Sequence, residues 1–255
     1  MIFDTHAHYD DPVYEKDREE LFEAMRAEGV GMITDIGADI ASTKKAAELS
    51  NAYDFVYAAA GVHPSEVYFL EEADMDFLLE MAKNPKVVAI GEIGLDYHYE
   101  DTVREVQKKW FIRQLELAKE TKLPVVIHSR DAAQDTLDIM KDIHAEDIGG
   151  VIHCFSYGWE MAKIYLDMGF YLGIGGVVTF KNAKKLKEVV QRAPMDRLVL
   201  ETDAPYLAPE PYRGKRNASH YLKYVAEEIA ALRSMALDEV IHITEENGKQ
   251  MYRIR

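Results

Sequence analysis

Met1-Ile2-Phe3-Asp4-Thr5-His6-Ala7-His8-Tyr9-Asp10 opens the chain, and its two histidines decide how the rest is read. Ile2 to Thr5 reads as a first strand that runs straight into them. On an extended backbone, residues i and i+2 point to the same side, so both imidazoles can face one point. Neutral imidazole is the commonest protein ligand for transition metals, and two converging rings make half a metal site. The other half must come from far along the chain. The bland reading is a surface pair or a tag scar, but a tag would be a longer histidine run.

Working outward, a β-then-α rhythm recurs eight times. An acidic helical pattern runs from about Glu15 to Ala27. The second strand, Val30 to Asp35, precedes a helix through Thr43 to Leu49. The third, Phe55 to Ala60, ends in Gly61-Val62-His63-Pro64, and a helix follows near Asp74 to Ala82. Val87 to Ile90 is the fourth strand, ending in Gly91-Glu92-Ile93-Gly94-Leu95-Asp96. After it comes a long amphipathic helix from about Thr102 to Glu120, with Trp110, Leu115 and Leu117 on its apolar stripe. The fifth strand, Pro124 to Ile127, ends in His128-Ser129-Arg130-Asp131, and the sixth, Gly150 to Ile152, in His153-Cys154-Phe155. The seventh, Phe170 to Ile174, leads to a basic helix start around Lys181 to Lys187. The eighth, Leu198 to Asp203, ends in Ala204-Pro205, and helical patterns at Tyr221 to Leu232 and Leu237 to Met251 close the chain.

The strand runs are mostly continuous and β-branched, as expected of parallel strands covered on both faces. Eight of them, each followed by helical periodicity, indicate an α/β fold: a (β/α)8 TIM barrel, in one domain over residues 1–255. The runner-up is an open doubly wound sheet, but no Gly-x-Gly-x-x-Gly turn follows the first strand.

Composition bounds the function. A hydrophobic fraction of 48% supplies an ordinary globular core. No apolar run approaches ~18 residues, so no membrane span is expected. Asp4, Asp10 and Asp11 break any signal-peptide pattern. One cysteine, Cys154, leaves no internal disulfide framework and fits a reducing, cytoplasmic location. The net charge of −15 argues against broad nucleic-acid binding through a basic face, though not against a phosphate substrate held locally.

In a parallel barrel the C-terminal strand ends form one face, where active sites are built. His6 and His8 close strand one, Glu92 strand four, His128 strand five, His153 strand six and Asp203 strand eight. Alone, His128 would be an ordinary buried histidine, Glu92 an ion-pair partner and Asp203 the start of a turn. Six such residues on one face need partners, because buried polar groups must be satisfied. Six ligands exceed the three that one catalytic zinc takes. They suit two divalent ions roughly 3.5–4 Å apart, with Glu92 as the bridging carboxylate. Ligand type alone accepts Mg²⁺, Mn²⁺ or Zn²⁺.

Over essentially its whole length the chain resembles the TatD-type metal-dependent deoxyribonucleases, within the wider metallo-dependent hydrolase barrels. The matching stretches are Asp4-Thr-His6-Ala-His8, Gly61-Val-His63-Pro64, Gly91-Glu92-Ile-Gly-Leu-Asp96-Tyr97, His128-Ser-Arg130-Asp-Ala132, His153-Cys-Phe-Ser156, Glu201-Thr-Asp203-Ala-Pro-Tyr206 and Arg213-Gly-Lys215-Arg-Asn217. The resemblance implies His6, His8, Glu92 and Asp203 at one metal, and Glu92, His128 and His153 at the other. It also implies that Asp203 orients or deprotonates the attacking water, and that His63 contacts a substrate phosphate or an extra metal. Two departures stand out: Tyr157 follows Ser156 where the family usually has glycine, and Ala218-Ser219 follow Asn217 where Glu-Pro is usual.

Arg213, Lys215 and Arg216 lie beyond strand eight, and Lys181, Lys184, Lys185 and Lys187 follow strand seven, so a positive rim on an acidic protein is expected. Arginine suits bidentate phosphate contact, which makes Arg213 a substrate-binding candidate with His63. Tyr97 and Tyr206 are expected near the mouth, where they could stack on bases. With the resemblance, the expectation is a 3′→5′ exonuclease on single-stranded or frayed DNA ends. It would use two divalent metals (Mg²⁺ or Mn²⁺, with Zn²⁺ as the other candidate), act as a monomer and need no membrane or obligate protein partner. The alternative is a C–N or C–O hydrolase on the same site: a lactonase, amidase or aminoacyl-tRNA deacylase. Many such relatives bridge their metals with a carboxylated lysine on strand four, where this chain has Glu92 and no lysine nearer than Lys86. A non-catalytic scaffold would show a broken ligand set, and this set is complete.

Overall fold

A computed structural model describes residues 1–99 and 103–254. Eight strands, β1 (Ile2–Ala7), β2 (Val30–Ile36), β3 (Val56–Ala60), β4 (Val87–Asp96), β5 (Val125–Arg130), β6 (Gly150–Ile152), β7 (Tyr171–Ile174) and β8 (Leu198–Leu200), pair in parallel in sequence order. The circle is completed just past β8: Ala7 bridges Ala204 in parallel, and the His8 amide donates to Ala204 O at 2.8 Å. The fold is a TIM barrel.

Around it lie α1 (Arg18–Ala27), α2 (Ile40–Ala52), α3 (Glu72–Met81), α4 (Arg104–Thr121), α5 (Ala133–Asp142), α6 (Trp159–Asp167), α7 (Lys184–Arg192), α8 (Leu222–Arg233) and α9 (Leu237–Met251). The expected start of the fourth helix at Thr102 lies outside the described residues. Trp110, Leu115 and Leu117 of α4 are buried as their spacing requires. Among the described residues, no helix is long and apolar enough to cross a membrane.

Strand residues alternate between two apolar layers. One set, including Ala58, Ile90, Ile127, Ile152 and Leu198, packs under the helices. The other, Phe3, Ala59, Ala89, Val126, Val151 and Val199, joins Met251 and Tyr252 from the end of the chain. The Tyr252 hydroxyl donates to Thr5 O at 2.7 Å, fastening the C-terminus to β1. This second layer is the apolar floor beneath the polar mouth.

β4 departs most from expectation. Its ten residues are buried throughout, so Glu92 lies inside the strand rather than beyond its end. The two glycines beyond the expected end of this strand stand where the neighbouring strand comes too close for a side chain. A Cβ on Gly91 would meet Val126 Cβ at 2.5 Å, and one on Gly94, where φ is +147°, would meet His128 O at 1.9 Å. Between Ile90 and Ile93 the β4–β5 register slips, since Ile90 pairs with Val125 and Ile93 with Ile127. The extra residue on β4 is a bulge, a device that re-aims a side chain next to a functional site.

Gly94→Ala is therefore expected to cost about 3 kcal/mol or more, because strand backbone has to move. A urea melt followed by circular dichroism checks this, and a variant as stable as the parent would contradict the close approach.

Candidate metal centre

The six residues expected at the strand ends meet at one point, delivered by five βα units. Around Glu92 Oε2 lie His6 Nε2 at 3.3 Å and His8 Nε2 at 3.9 Å. Those two nitrogens are 3.2 Å apart, and Asp203 Oδ1 is 3.8 Å from the first and 3.4 Å from the second. Around Glu92 Oε1 lie His128 Nδ1 at 2.7 Å, His153 Nε2 at 3.8 Å and His63 Nε2 at 3.9 Å. His153 Nε2 is also 3.6 Å from Asp203 Oδ1, so this ring faces both groups. His63, for which the resemblance implies contact with a substrate phosphate or an extra metal, is nearly as close to Glu92 as His153 is.

This donor set fits divalent cations. Ligand bonds of roughly 2.0–2.2 Å place neighbouring donor atoms about 3–3.5 Å apart, close to the spacings above. Three groups, His6–His8–Asp203, His63–Glu92–His128 and His6–His153–Glu201, each have ligand atoms within 4.8 Å of one another. The electrostatics say the same. Burial alone would raise the Glu92 carboxyl, but His153, His6 and His128 outweigh it and hold the acid well below the usual carboxylate range. Burial opposes charge on the imidazoles too, yet Asp203 and Glu92 push His8 up to about 9, and Asp96 and Glu92 push His128 up to about 9. Glu201 and Glu92 push His153 up to about 10. Buried carboxylates here demand positive charge, which protons on imidazoles supply and for which a bound cation competes.

Three of the rings are held from behind, whereas His6 Nδ1 is buried with no hydrogen-bond partner among the described residues. His8 Nδ1 bonds to Ile36 O at 2.8 Å, His153 Nδ1 to Glu201 Oε2 at 3.1 Å, and His128 Nε2 to Asp96 Oδ2 at 3.1 Å. Such outer partners fix ring orientation and tautomer. Glu201 also accepts from the Cys154 amide. Its carboxylate lies over Gly173, where a Cβ would stand 2.1 Å from Oε2.

Asp203 is placed by a network on the other side. Asp4, fully buried, accepts from Thr202 Oγ1 at 2.6 Å, Thr202 N at 3.0 Å and Ser219 Oγ at 2.6 Å. Asn217 Nδ2 donates to Thr202 O at 3.0 Å and Tyr206 O at 2.7 Å. Asp203 itself has φ +58°, a left-handed conformation that Asp tolerates better than most residues. Sequence reasoning assigned no role to Asp4, Asp96 or Glu201, although all three stand in the quoted motifs. Their one visible signal was an acid inside or beside an apolar strand.

Both departures from the family pattern are accommodated. Ser219 carries the bond to Asp4, and the Tyr157 hydroxyl donates to Ser129 O at 3.0 Å, bracing the residue after His128.

The expected positive rim is smaller than the sequence suggested. Arg216 is paired with Asp17, and Lys187 with Glu228 at 2.7 Å. Arg213 is exposed, its guanidinium 4.3 Å above the Phe180 ring. Tyr97 is engaged by Asp135 at 2.8 Å and covered by Arg104, whereas Tyr206 is 57% exposed.

Glu201→Gln keeps an acceptor for Cys154 but weakens the grip on His153. It is expected to lower divalent-metal affinity by about 10–100-fold with the fold intact, as measured by calorimetric titration of stripped protein. Unchanged affinity would show that His153 is oriented without it.

A family model described as TatD related DNase matches residues 3–253. The chain is 48% identical over 254 residues to an uncharacterized metal-dependent hydrolase, YabD, of Bacillus subtilis (strain 168), covering 100% of both chains. It is 32% identical over 245 residues, spanning 94% of this chain and 93% of the other, to a Rahnella protein named 3′-5′ ssDNA/RNA exonuclease TatD. Among solved structures, the TatD homologue YJJV of Escherichia coli K12 superposes with a TM-score of 0.94 at 30% identity, covering 100% of this chain and 98% of that one.

Proposed function

The chain belongs to the TatD-related DNase family of metal-dependent hydrolases, and on that premise we propose that it is a two-metal phosphodiesterase trimming single-stranded or frayed DNA from the 3′ end. One observation carries the reading: the two oxygens of Glu92 face different imidazole groups, Oε2 toward His6 and His8, Oε1 toward His128, His153 and His63. A carboxylate so placed can bridge two cations. His6, His8 and Asp203 would hold one of them with Glu92, and His128 and His153 the other.

When bound, such a pair of Mg²⁺, Mn²⁺ or Zn²⁺ ions supplies Lewis acidity toward phosphoryl oxygens and eases deprotonation of water. The chain's own residues do the rest. Asp203 is 19% exposed at the mouth, so a water can reach it. Burial would raise its carboxyl, but His8, His153 and His6 outweigh burial and keep it ionised, able to orient that water and accept its proton. The bond from Ser65 to His63 Nδ1 at 2.7 Å turns Nε2 toward Glu92, beside which a phosphate oxygen would lie. Arg213 offers a second, exposed phosphate contact. Support for nucleic acid as substrate and for 3′ polarity comes from the family description and the name of the Rahnella relative.

The C–N hydrolase alternative gains nothing from β4. Lys86 lies before that strand, at the opposite end from the cluster, and its ammonium donates to the carbonyls of Asp54 and Val56.

Metal-stripped protein given end-labelled single-stranded DNA and Mg²⁺, Mn²⁺ or Zn²⁺ in turn should produce ladders that shorten from the 3′ end. EDTA should abolish them, and Glu92→Ala should slow them at least about a hundredfold. Intact DNA with folded, metal-loaded protein would overturn the nuclease reading.

A further inference from the structure

Most large apolar side chains that stand exposed lie on loops following strands, at the end of the barrel that holds the ligand cluster. Tyr68 and Phe69 follow β3, Tyr99 and Val103 follow β4, and Tyr206 and Leu207 follow β8. Phe69 is 92% exposed and Tyr99 58%, so neither contributes to a core. Exposed aromatic groups gathered at one functional face call for an explanation that single scattered ones do not.

The β3 and β4 loops are joined, because the Val103 amide donates to the Tyr68 hydroxyl oxygen at 3.2 Å. The Tyr68–Phe69 turn begins a few residues after His63 on the same loop. On the other side, Arg130, exposed at the end of β5, has its guanidinium carbon 5.9 Å from the Tyr99 ring centroid. It lies two residues after His128 in the same strand. Aromatic rings and a cation thus continue outward from the ligand cluster. Two of the acids nearby are engaged, Asp131 with His98 at 3.1 Å and Glu72 with Arg113 at 2.9 Å, which limits their repulsion of an anion.

We propose that Tyr68, Phe69 and Tyr99, with Arg130, form a stacking shelf for unpaired nucleobases of a strand whose phosphodiester lies at Glu92 and Asp203. The inference rests on the nuclease reading above and deepens it. Single-stranded nucleic acid is the occupant that fits, because it alternates flat apolar faces with anionic links at short spacing. On a chain of net charge −15, backbone attraction is confined to a few cations, so base stacking has to supply much of the grip. Stacking tolerates any base but needs it unstacked from a duplex, which makes the shelf selective for single strands without reading sequence. Tyr206, after β8, stands across the barrel from the β4 loop, so a strand passing over the cluster meets an aromatic ring on either side.

The test is binding to the full chain kept metal-free so that nothing is cut, followed by fluorescence anisotropy. The probes are a labelled short oligothymidylate and an abasic phosphodiester of equal length. The unsubstituted protein should bind the base-bearing strand about tenfold or more tighter, and Phe69→Ala and Tyr99→Ala should each shrink that ratio about fivefold or more. Equal affinity for the two probes, or a ratio unchanged in both variants, would overturn the shelf. The two readings fail separately. A base-dependent ratio lost in the variants, with no cleavage once metal is restored, keeps the shelf and removes the nuclease. Cleavage with an unaltered ratio does the reverse.

Discussion

A single buried carboxylate sets the terms for this molecule. Glu92 is 3% exposed in the middle of β4, and an ionised acid there cannot persist unless positive charge surrounds it. No neighbour on its own strand supplies that charge. It comes from His8 at the end of β1, His128 on β5 and His153 after β6, which converge only if the sheet curls into a barrel. The closing contact between Ala7 and Ala204 then sits beside Asp203, so the geometry that closes the barrel also brings this carboxylate to the imidazole cluster. Fold and site are one constraint here, not a scaffold with a site added.

The second requirement is rigidity. An imidazole free to turn would present the wrong nitrogen, and His8, His153 and His128 are gripped at the far side by Ile36 O, Glu201 and Asp96 in turn. These grips need room. Gly173 leaves space for the Glu201 carboxylate, and Gly94 lets β4 approach the His128 carbonyl. The glycines around the mouth therefore belong to the chemistry, although none carries a functional group. Asp4 plays the equivalent part for Asp203 by tying Thr202 and Ser219 into one buried network.

Much of this was legible in the chain. Continuous apolar runs marked the strands, and chemistry-bearing residues placed just after them marked the mouth, because a parallel barrel sends every strand end to one face. β4 runs six residues past the Val87 to Ile90 apolar run, because Gly91 and Gly94 carry no apolar side chain to mark a strand, and only the closeness of β5 reveals why they belong to one. Arg216, Lys187 and Tyr97 were read as free for substrate because their partners Asp17, Glu228 and Asp135 are distant in sequence. The same blindness hid Glu201 as the partner of His153. Composition names the residues that can bond; it does not name the bonds.

Charge remains the sharpest tension in the molecule. A chain of net charge −15 whose centre is lined by Glu92, Asp203, Glu201, Asp96 and Asp4 repels a phosphodiester on both scales. His8, His128 and His153 offset part of the local charge by holding protons against burial, whereas burial and neighbouring imidazoles hold His6 and His63 below the usual imidazole range. Cations placed between the carboxylates reverse the sign at the centre without altering the surface. On the proposed nuclease reading, a phosphodiester would then be attracted only at the cluster, while the acidic exterior would disfavour loose association elsewhere. In that arrangement the negative charge of the chain would be no obstacle to the proposed action on nucleic acid; it would confine contact to a strand end entering the mouth.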